Sequence, residues 1–318
     1  MTDMSRMQES VAGKVTDTRA GSDIRNFKAG TDEVPVAARM SERLVTDADM
    51  LGGMSHGALT AAAGVTIGVM DRFRCVADVG CDHGYVSIYL VQKGIADSAI
   101  AMDVRKGPLS AAKANIEEYG LADRVQVRLS DGLLELKEGE ADALVIAGMG
   151  GKLMISILEK KDLRALGIRT AVLQPQSDIS EFREYLRKKG YLIEDEKIVL
   201  EDGKYYFPMR VRITGTEQGD EESGSFLMME KAVSVLKQSG RTGELFSKVS
   251  DEGVIRICNR YGEHNIQRRD SLLKSYLEHG LEVDNSILSA LSADSHSGRV
   301  AQIKQEISDI QSVLAIFE

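Results

Sequence analysis

The chain has 318 residues, 43% of them hydrophobic and 28% charged, which is ordinary for a globular protein and long enough for one large core or two domains. A net charge of -9 argues against indiscriminate polyanion binding but leaves room for a local basic patch. Three cysteines, Cys75, Cys81 and Cys258, match neither a zinc pattern nor a disulfide framework, so a reducing cytoplasm without a bound metal is the expected setting. The weakly polar run Ala58–Met70 is broken by glycines and too short for a bilayer span, and no secretory leader is recognised.

In chain order, the residues before about Ala38 are polar and aperiodic and read as a mobile tail. Met40–Met50 reads as a short helix opened by Ser41 with Leu44 inward, whereas Leu51–Met70 has no assignable structure. Strand and helix then alternate to about Ile213. Strands are expected at Cys75–Gly80, Ser98–Asp103, Val125–Leu129, Ala141–Ala147 and Arg169–Gln174. One helix begins at Tyr85 and stops at Gly94. A second opens with Gly107-Pro108, carries the stripe Leu109, Ala112, Ile116 and Tyr119, and ends at Gly120. A third covers about Lys152–Lys160. A fourth, with Ile179, Phe182 and Leu186 inward, is opened by the capping box Asp178-Ile-Ser-Glu181 and closed by Gly190.

Asp202-Gly203 then joins two expected strands, Leu192–Leu200 and Tyr205–Ile213, into a hairpin. Alternating βα units followed by a hairpin imply an α/β, Rossmann-like sheet, mostly parallel with an antiparallel edge strand. Beyond Gly215 a polar loop leads into apolar spacing over Leu272–Leu291 and Val300–Leu314, which predicts an antiparallel helical, coiled-coil-like hairpin. The expected organisation is a tail over 1–39, a ligand-binding domain over 40–214 and a helical domain over 215–318.

The turn Asp78-x-Gly80-x-Asp82-x-Gly84 separates the first strand from its helix. A dinucleotide site would carry G-x-G-x-x-G here, with phosphate on the helix N-terminus. Asp78 and Asp82 would repel phosphate. The turn suits a ligand with a cationic end, hydroxyls and no phosphate, as S-adenosylmethionine has. Ligands of such sheets sit beyond the carboxyl ends of the strands. There Asp103 is a candidate acceptor for ribose hydroxyls, and Asp131 with Gly132 for an adenine amino group. Gly148-Met149-Gly150-Gly151 would let a flat acceptor ring approach the methyl donor. Gln174 offers paired donor and acceptor to a base edge, or caps the next helix. His83 reads first as a helix-start hydrogen-bonder, and Cys81 as a small residue beside a ligand rather than a nucleophile.

Six motifs occur together and in order: Asp78-Val-Gly-Cys-Asp-His-Gly-Tyr85, Gly107-Pro108, Ser130-Asp-Gly-Leu133, Ile146-Ala-Gly-Met-Gly-Gly151, Leu173-Gln-Pro175 and Glu201-Asp-Gly-Lys-Tyr205. Through them, over roughly Met40–Ile213 and again at Tyr261-Gly262 and Asp270–Tyr276, the chain resembles the bacterial tRNA (adenine(22)-N1)-methyltransferase family. The resemblance implies S-adenosylmethionine as cofactor, tRNA as partner, and methylation of an adenine N1 in the D-arm. Carried over by position, Asp78, Gly80, Asp82, Gly84, Asp103, Asp131, Gly132, Gly148, Met149 and Gly150 line the cofactor site. Asp82 and His83 are the candidates for orienting the base or taking up a proton. Arg43 matches a basic residue of the family's N-terminal helix; with Lys106, Lys152, Gln174 and the Arg268-Arg269 pair it is a candidate RNA contact. The tail before Met40, the long Leu51–Met70 segment and the stretch Thr214–Arg260 depart from the family pattern. Competing readings are a silent RNA-binding protein of the same fold, a methyltransferase acting on another RNA base, and an oxidoreductase, which the acidic turn disfavours.

Overall fold

A computed structural model describes residues 35–53, 59–60, 66–67, 71–214, 221–237, 240–291 and 297–318. Residues 1–34 of the expected tail and most of 51–70 lie outside these residues; the last part of that tail is not mobile chain, since Val36–Arg39 form a 3-10 helix with Val36 buried in the core. Besides a short antiparallel pair, Leu59–Thr60 with Thr66–Ile67, the strands are β1 (Phe73–Val79), β2 (Ala96–Asp103), β3 (Val125–Leu129), β4 (Ala143–Met149), β5 (Thr170–Pro175), β6 (Leu192–Glu196), β7 (Val199–Glu201), β8 (Lys204–Tyr206) and β9 (Met209–Arg212). Seven of them form one sheet in the order β3-β2-β1-β4-β5-β9-β6. The first five run parallel, and β9 pairs antiparallel with both β5 and β6. The strand order reverses between β1 and β4, so a crevice opens beyond their carboxyl ends.

Every β1 residue except Arg74 is buried, because helices cover both sheet faces and the strand must be apolar on each. Phe73 and Val76 pack toward α1 (Glu42–Leu51), α2 (Tyr85–Gln92) and α3 (Lys106–Glu118). Cys75, Ala77 and Val79 face the opposite cluster, with α4 (Gly151–Glu159) and α5 (Ile179–Lys188). That second cluster also takes in α6 (Glu221–Lys237), α7 (Gly240–Phe246), α8 (Asp251–Tyr261), α9 (Glu263–Arg268), α10 (Ser271–Ala290) and α11 (Ser297–Leu314), through residues such as Leu236, Phe246, Ile257, Ile266, Leu277 and Ile310. The apolar core therefore runs without a break past residue 215.

Ser41 caps α1, its hydroxyl accepting from the Leu44 N–H. Gly94, Gly120 and Gly190 follow their helices at positive φ, as expected. Three local expectations need correction. First, α3 begins at Lys106, so Pro108 is third in the helix, still within the turn whose N–H groups have no helical partner. Second, Asp178 does not cap α5. It sits in the left-handed region at φ 52°, accepts from Ser177 Oγ at 2.7 Å and pairs with Lys152 at 3.4 Å. Third, the two long hairpin strands are each broken. β6 and β9 join the main sheet, while β7 and β8 turn away as a separate ladder. Pro208 has no N–H to continue the pairing; its carbonyl accepts from Lys197 N instead.

α5 carries two buried arginines that the apolar stripe does not announce. Arg183 Nε donates to Glu196 at 2.6 Å and its Nη1 to the carbonyls of Asn259 and Arg260. Arg187 donates to the Asn259 side chain and both oxygens of Glu263. These bonds tie α8 and α9 to the sheet. α10 and α11 pack antiparallel, Gly280 lying opposite Ile310 and Asp284 beside Glu306. No helix among the described residues is long and apolar enough to cross a membrane.

Candidate active site

A cleft of about 790 Å³ opens at the switch point, walled by the β1–α2 turn, the ends of β2, β3 and β4, and α1. It brings together Asp78, Gly80, Asp82, His83, Asp103, Asp131, Gly132, Gly148, Met149 and Arg43. Gly84 and Gly150 stand behind its wall. Gly84 lies at φ 73°, and a Cβ there would meet the Ala112 methyl at 3.1 Å, so this glycine lets α2 start against α3. Lys106 and Lys152 are exposed at the starts of α3 and α4, outside the lining. Arg268 is away from the cleft, paired with Asp195 near the sheet edge.

Asp78 is 4% exposed and accepts from Ser87 Oγ at 2.7 Å; burial pushes its carboxyl up to about 6. Asp103, also buried, accepts the Arg105 N–H at 2.8 Å through Oδ1. Asp131 is exposed and bonded to Lys160 Nζ at 2.7 Å. Asp82 holds φ 46°, with His83 Nε2 3.5 Å from its carboxylate and the His83 ring stacked on Tyr85. Burial, with Asp78, Asp103 and Asp82 nearby, pushes the Cys81 thiol far up. A thiol held in that protonated state is a weak nucleophile. Among the described residues no group of His, Cys, Asp or Glu is arranged to hold a metal ion.

The Gly148 turn is supported from beneath. Gly148, at φ 79°, donates its N–H to Gln174 Oε1 at 3.0 Å, and Arg43 Nη1 donates to the same oxygen at 2.8 Å. Gln174 is fully buried and its Nε2 donates to the Pro175 carbonyl, so its amide is engaged inside the protein rather than turned to the cleft. Arg43 reaches this point from the first turn of α1. Its guanidinium lies 3.6 Å from both Asp47 and Glu201 and over the Tyr206 ring. Asp47 and Tyr206 escaped the sequence reading, and Glu201 entered it only within the Glu201–Tyr205 motif, without a role. The i,i+4 spacing of Arg43 and Asp47 was the available signal for Asp47.

The donor set fits S-adenosylmethionine. Buried acids face a cationic ligand, Asp103 offers an acceptor to hydroxyls, and Val104 and Leu153 give a flat ring exposed apolar walls beside Asp131. Gly80 lies at φ 78°, which favours glycine there, and a Cβ would also stand 2.2 Å from the Met149 methyl, the flexible tip of that side chain.

Residues 66–209 match the family described as a methyltransferase domain. The tRNA (adenine(22)-N(1))-methyltransferase of Bacillus subtilis is 34% identical over 222 residues, which are 64% of this chain and 91% of that protein. The crystal structure of the B. subtilis m1A22 tRNA methyltransferase TrmK aligns with a TM-score of 0.61 at 26% identity, covering 86% of this chain and 98% of that one. TrmK of M. capricolum, solved in complex with S-adenosyl-homocysteine, shares the fold, with a TM-score of 0.62, 21% identity, and coverage of 88% and 99%. At 34% identity over 91% of the B. subtilis relative's length, the chain belongs to the tRNA (adenine(22)-N1)-methyltransferase family.

Proposed function

We propose that this protein is an S-adenosylmethionine-dependent methyltransferase that modifies N1 of an adenine in the tRNA D-arm, acting in the cytoplasm. One observation carries the reading: buried Asp78 and Asp103 and an open glycine turn at Gly148 share one cleft, in a chain of this family.

When bound, S-adenosylmethionine supplies a methyl group on a cationic sulfur. Adenine N1 carries its lone pair in the ring plane, so attack needs alignment rather than deprotonation. The residues accordingly position more than they titrate. Asp78 and Asp82, on the Asp78–Gly84 turn, hold the methionine portion. Asp103 accepts from the ribose hydroxyls. Asp131, paired with Lys160, accepts from the adenine amino group. Gly132 and Gly148 leave room for two flat rings beside Met149, Gly150 completes the turn behind the wall, and His83 orients the target base. That base must leave its stack to enter. Lys106 and Lys152 contact phosphates on either side of the mouth. The role of Gln174 is to hold the Gly148 turn and Arg43.

The test is incubation of the purified protein and labelled S-adenosylmethionine with unmodified tRNA, followed by nuclease digestion and mapping of the labelled base. Label at N1 of a D-arm adenine is expected. Label on another base, or on protein or small molecules alone, would overturn the proposal.

A further inference from the structure

Asp47 is completely buried, and neither of its carboxylate oxygens has a hydrogen-bond partner. An acid in that state costs free energy, and the neighbouring buried residues of α1 (Ala48, Met50 and Leu51) give no packing reason for one. One turn earlier on the same helix, Arg43 Nη1 lies 3.6 Å from Asp47 Oδ2. Arg43 Nε is also buried without a partner, 3.6 Å from Glu201 Oε2. The guanidinium thus sits between two carboxylates at coulombic distance. Its one short side-chain hydrogen bond goes to Gln174, the residue that holds the Gly148 N–H.

We propose that Asp47 is a positioning residue for methyl transfer: with Glu201 it holds Arg43 against Gln174 beneath the Gly148 turn and cancels the charge of Arg43 there. The proposal rests on the functional reading above, in which the acceptor base lands on that turn. As the N1–CH3 bond forms and the S–CH3 bond breaks, positive charge leaves sulfur and appears on the base. Arg43 Nη1 lies 4.0 Å from where a Gly148 Cβ would be, so an uncompensated guanidinium would oppose that charge. Counting Arg43 as +1 and the two carboxylates as -1 each, the cluster carries a formal charge of -1, which favours the positive charge arriving on the base, and Asp47→Asn removes that surplus. Burial raises the Asp47 carboxyl to about 7, Arg43 opposing the rise and Glu201 adding to it. The protein therefore holds this acid at a cost to its own stability, as sites retained for activity often do.

Asp47→Asn keeps the shape and removes the charge. At pH 8, kcat on tRNA is expected to fall about tenfold, one positioning contact's worth. The Kd for S-adenosylmethionine and the KM for tRNA should stay within about twofold, while Tm rises by about 3 °C as the buried charge is lost. Glu201→Gln should lower kcat in the same direction. In an Arg43→Gln background Asp47→Asn should cost nothing further, because the effect passes through the guanidinium. An unchanged kcat, losses that simply add in the double variant, a kcat loss that tracks a fall in Tm, or an insoluble Asp47→Asn protein would each overturn the proposal. If the wild-type protein labels no tRNA, the functional reading falls and this inference with it. Wild-type activity with an indifferent Asp47→Asn removes this inference alone.

Discussion

Gly148→Ala probes the acceptor turn directly. The residue lies at φ 79°, where a side chain costs roughly 1–2 kcal/mol. Its N–H bond to Gln174 is unaffected, and a Cβ would find its nearest protein atoms at 3.8 Å (Gln176 Nε2) and 4.0 Å (Arg43 Nη1), ordinary contact distances. The stability cost is therefore the backbone strain alone, a fall in Tm of roughly 2–4 °C per kcal/mol. The new methyl stands where the acceptor ring would come down. A misplacement of about 1 Å at a reacting centre costs roughly 100-fold in rate. Single-turnover methylation at saturating S-adenosylmethionine should fall by about that factor, with cofactor affinity by calorimetry changed less than about threefold. A rate within about threefold of wild type, accompanied by the expected drop in Tm, would refute the assignment of this turn to the acceptor.

Asp103→Asn should weaken S-adenosylmethionine binding by roughly 10-fold or more, the value of a hydrogen bond to a charged group, and an unchanged Kd by calorimetry would remove Asp103 from the cofactor site. Because burial holds Asp78 at about 6, affinity for the cationic cofactor should weaken as pH falls below 6, with proton release visible in buffers of different ionisation heat; a Kd flat from pH 7 to about 5 would contradict this. The effect of Asp78 on folding has the opposite sign. Its native value lies above its ordinary 3.8, so its contribution to stability is present at low pH and is lost as pH rises from about 4 to about 6. Arg187→Met leaves Glu263 buried and unpaired and should cost about 3–5 kcal/mol in urea unfolding, most of it recovered in Arg187→Met/Glu263→Met; a loss below about 1 kcal/mol would mean the pair does not hold α9 to α5.

The sequence by itself determined the features whose causes are local. The strands β1 to β5, the helix stops at Gly94, Gly120 and Gly190, and the Asp78–Gly84 and Gly148–Gly151 turns follow from neighbours along the chain, and so did the presence of Asp78, Asp82, Asp103 and Asp131 at strand ends that meet in one cleft. Tertiary structure alone decided the features that depend on distant partners. Gln174 looked like a base reader because its amide can pair with one; its burial against Arg43, 131 positions away, turned it to holding a glycine turn. The stripe Ile179, Phe182 and Leu186 left Arg187 without a role; Glu263, 76 positions on, makes its burial tolerable. The Asp202-Gly203 hairpin read as two long strands, but which parts joined the main sheet depended on β5 and on the missing N–H of Pro208. Periodicity and turn chemistry are properties of adjacent residues. Which charges lose water together is settled only when the chain closes on itself, and at Asp47 that closure buried a carboxylate beside Arg43, beneath the Gly148 turn.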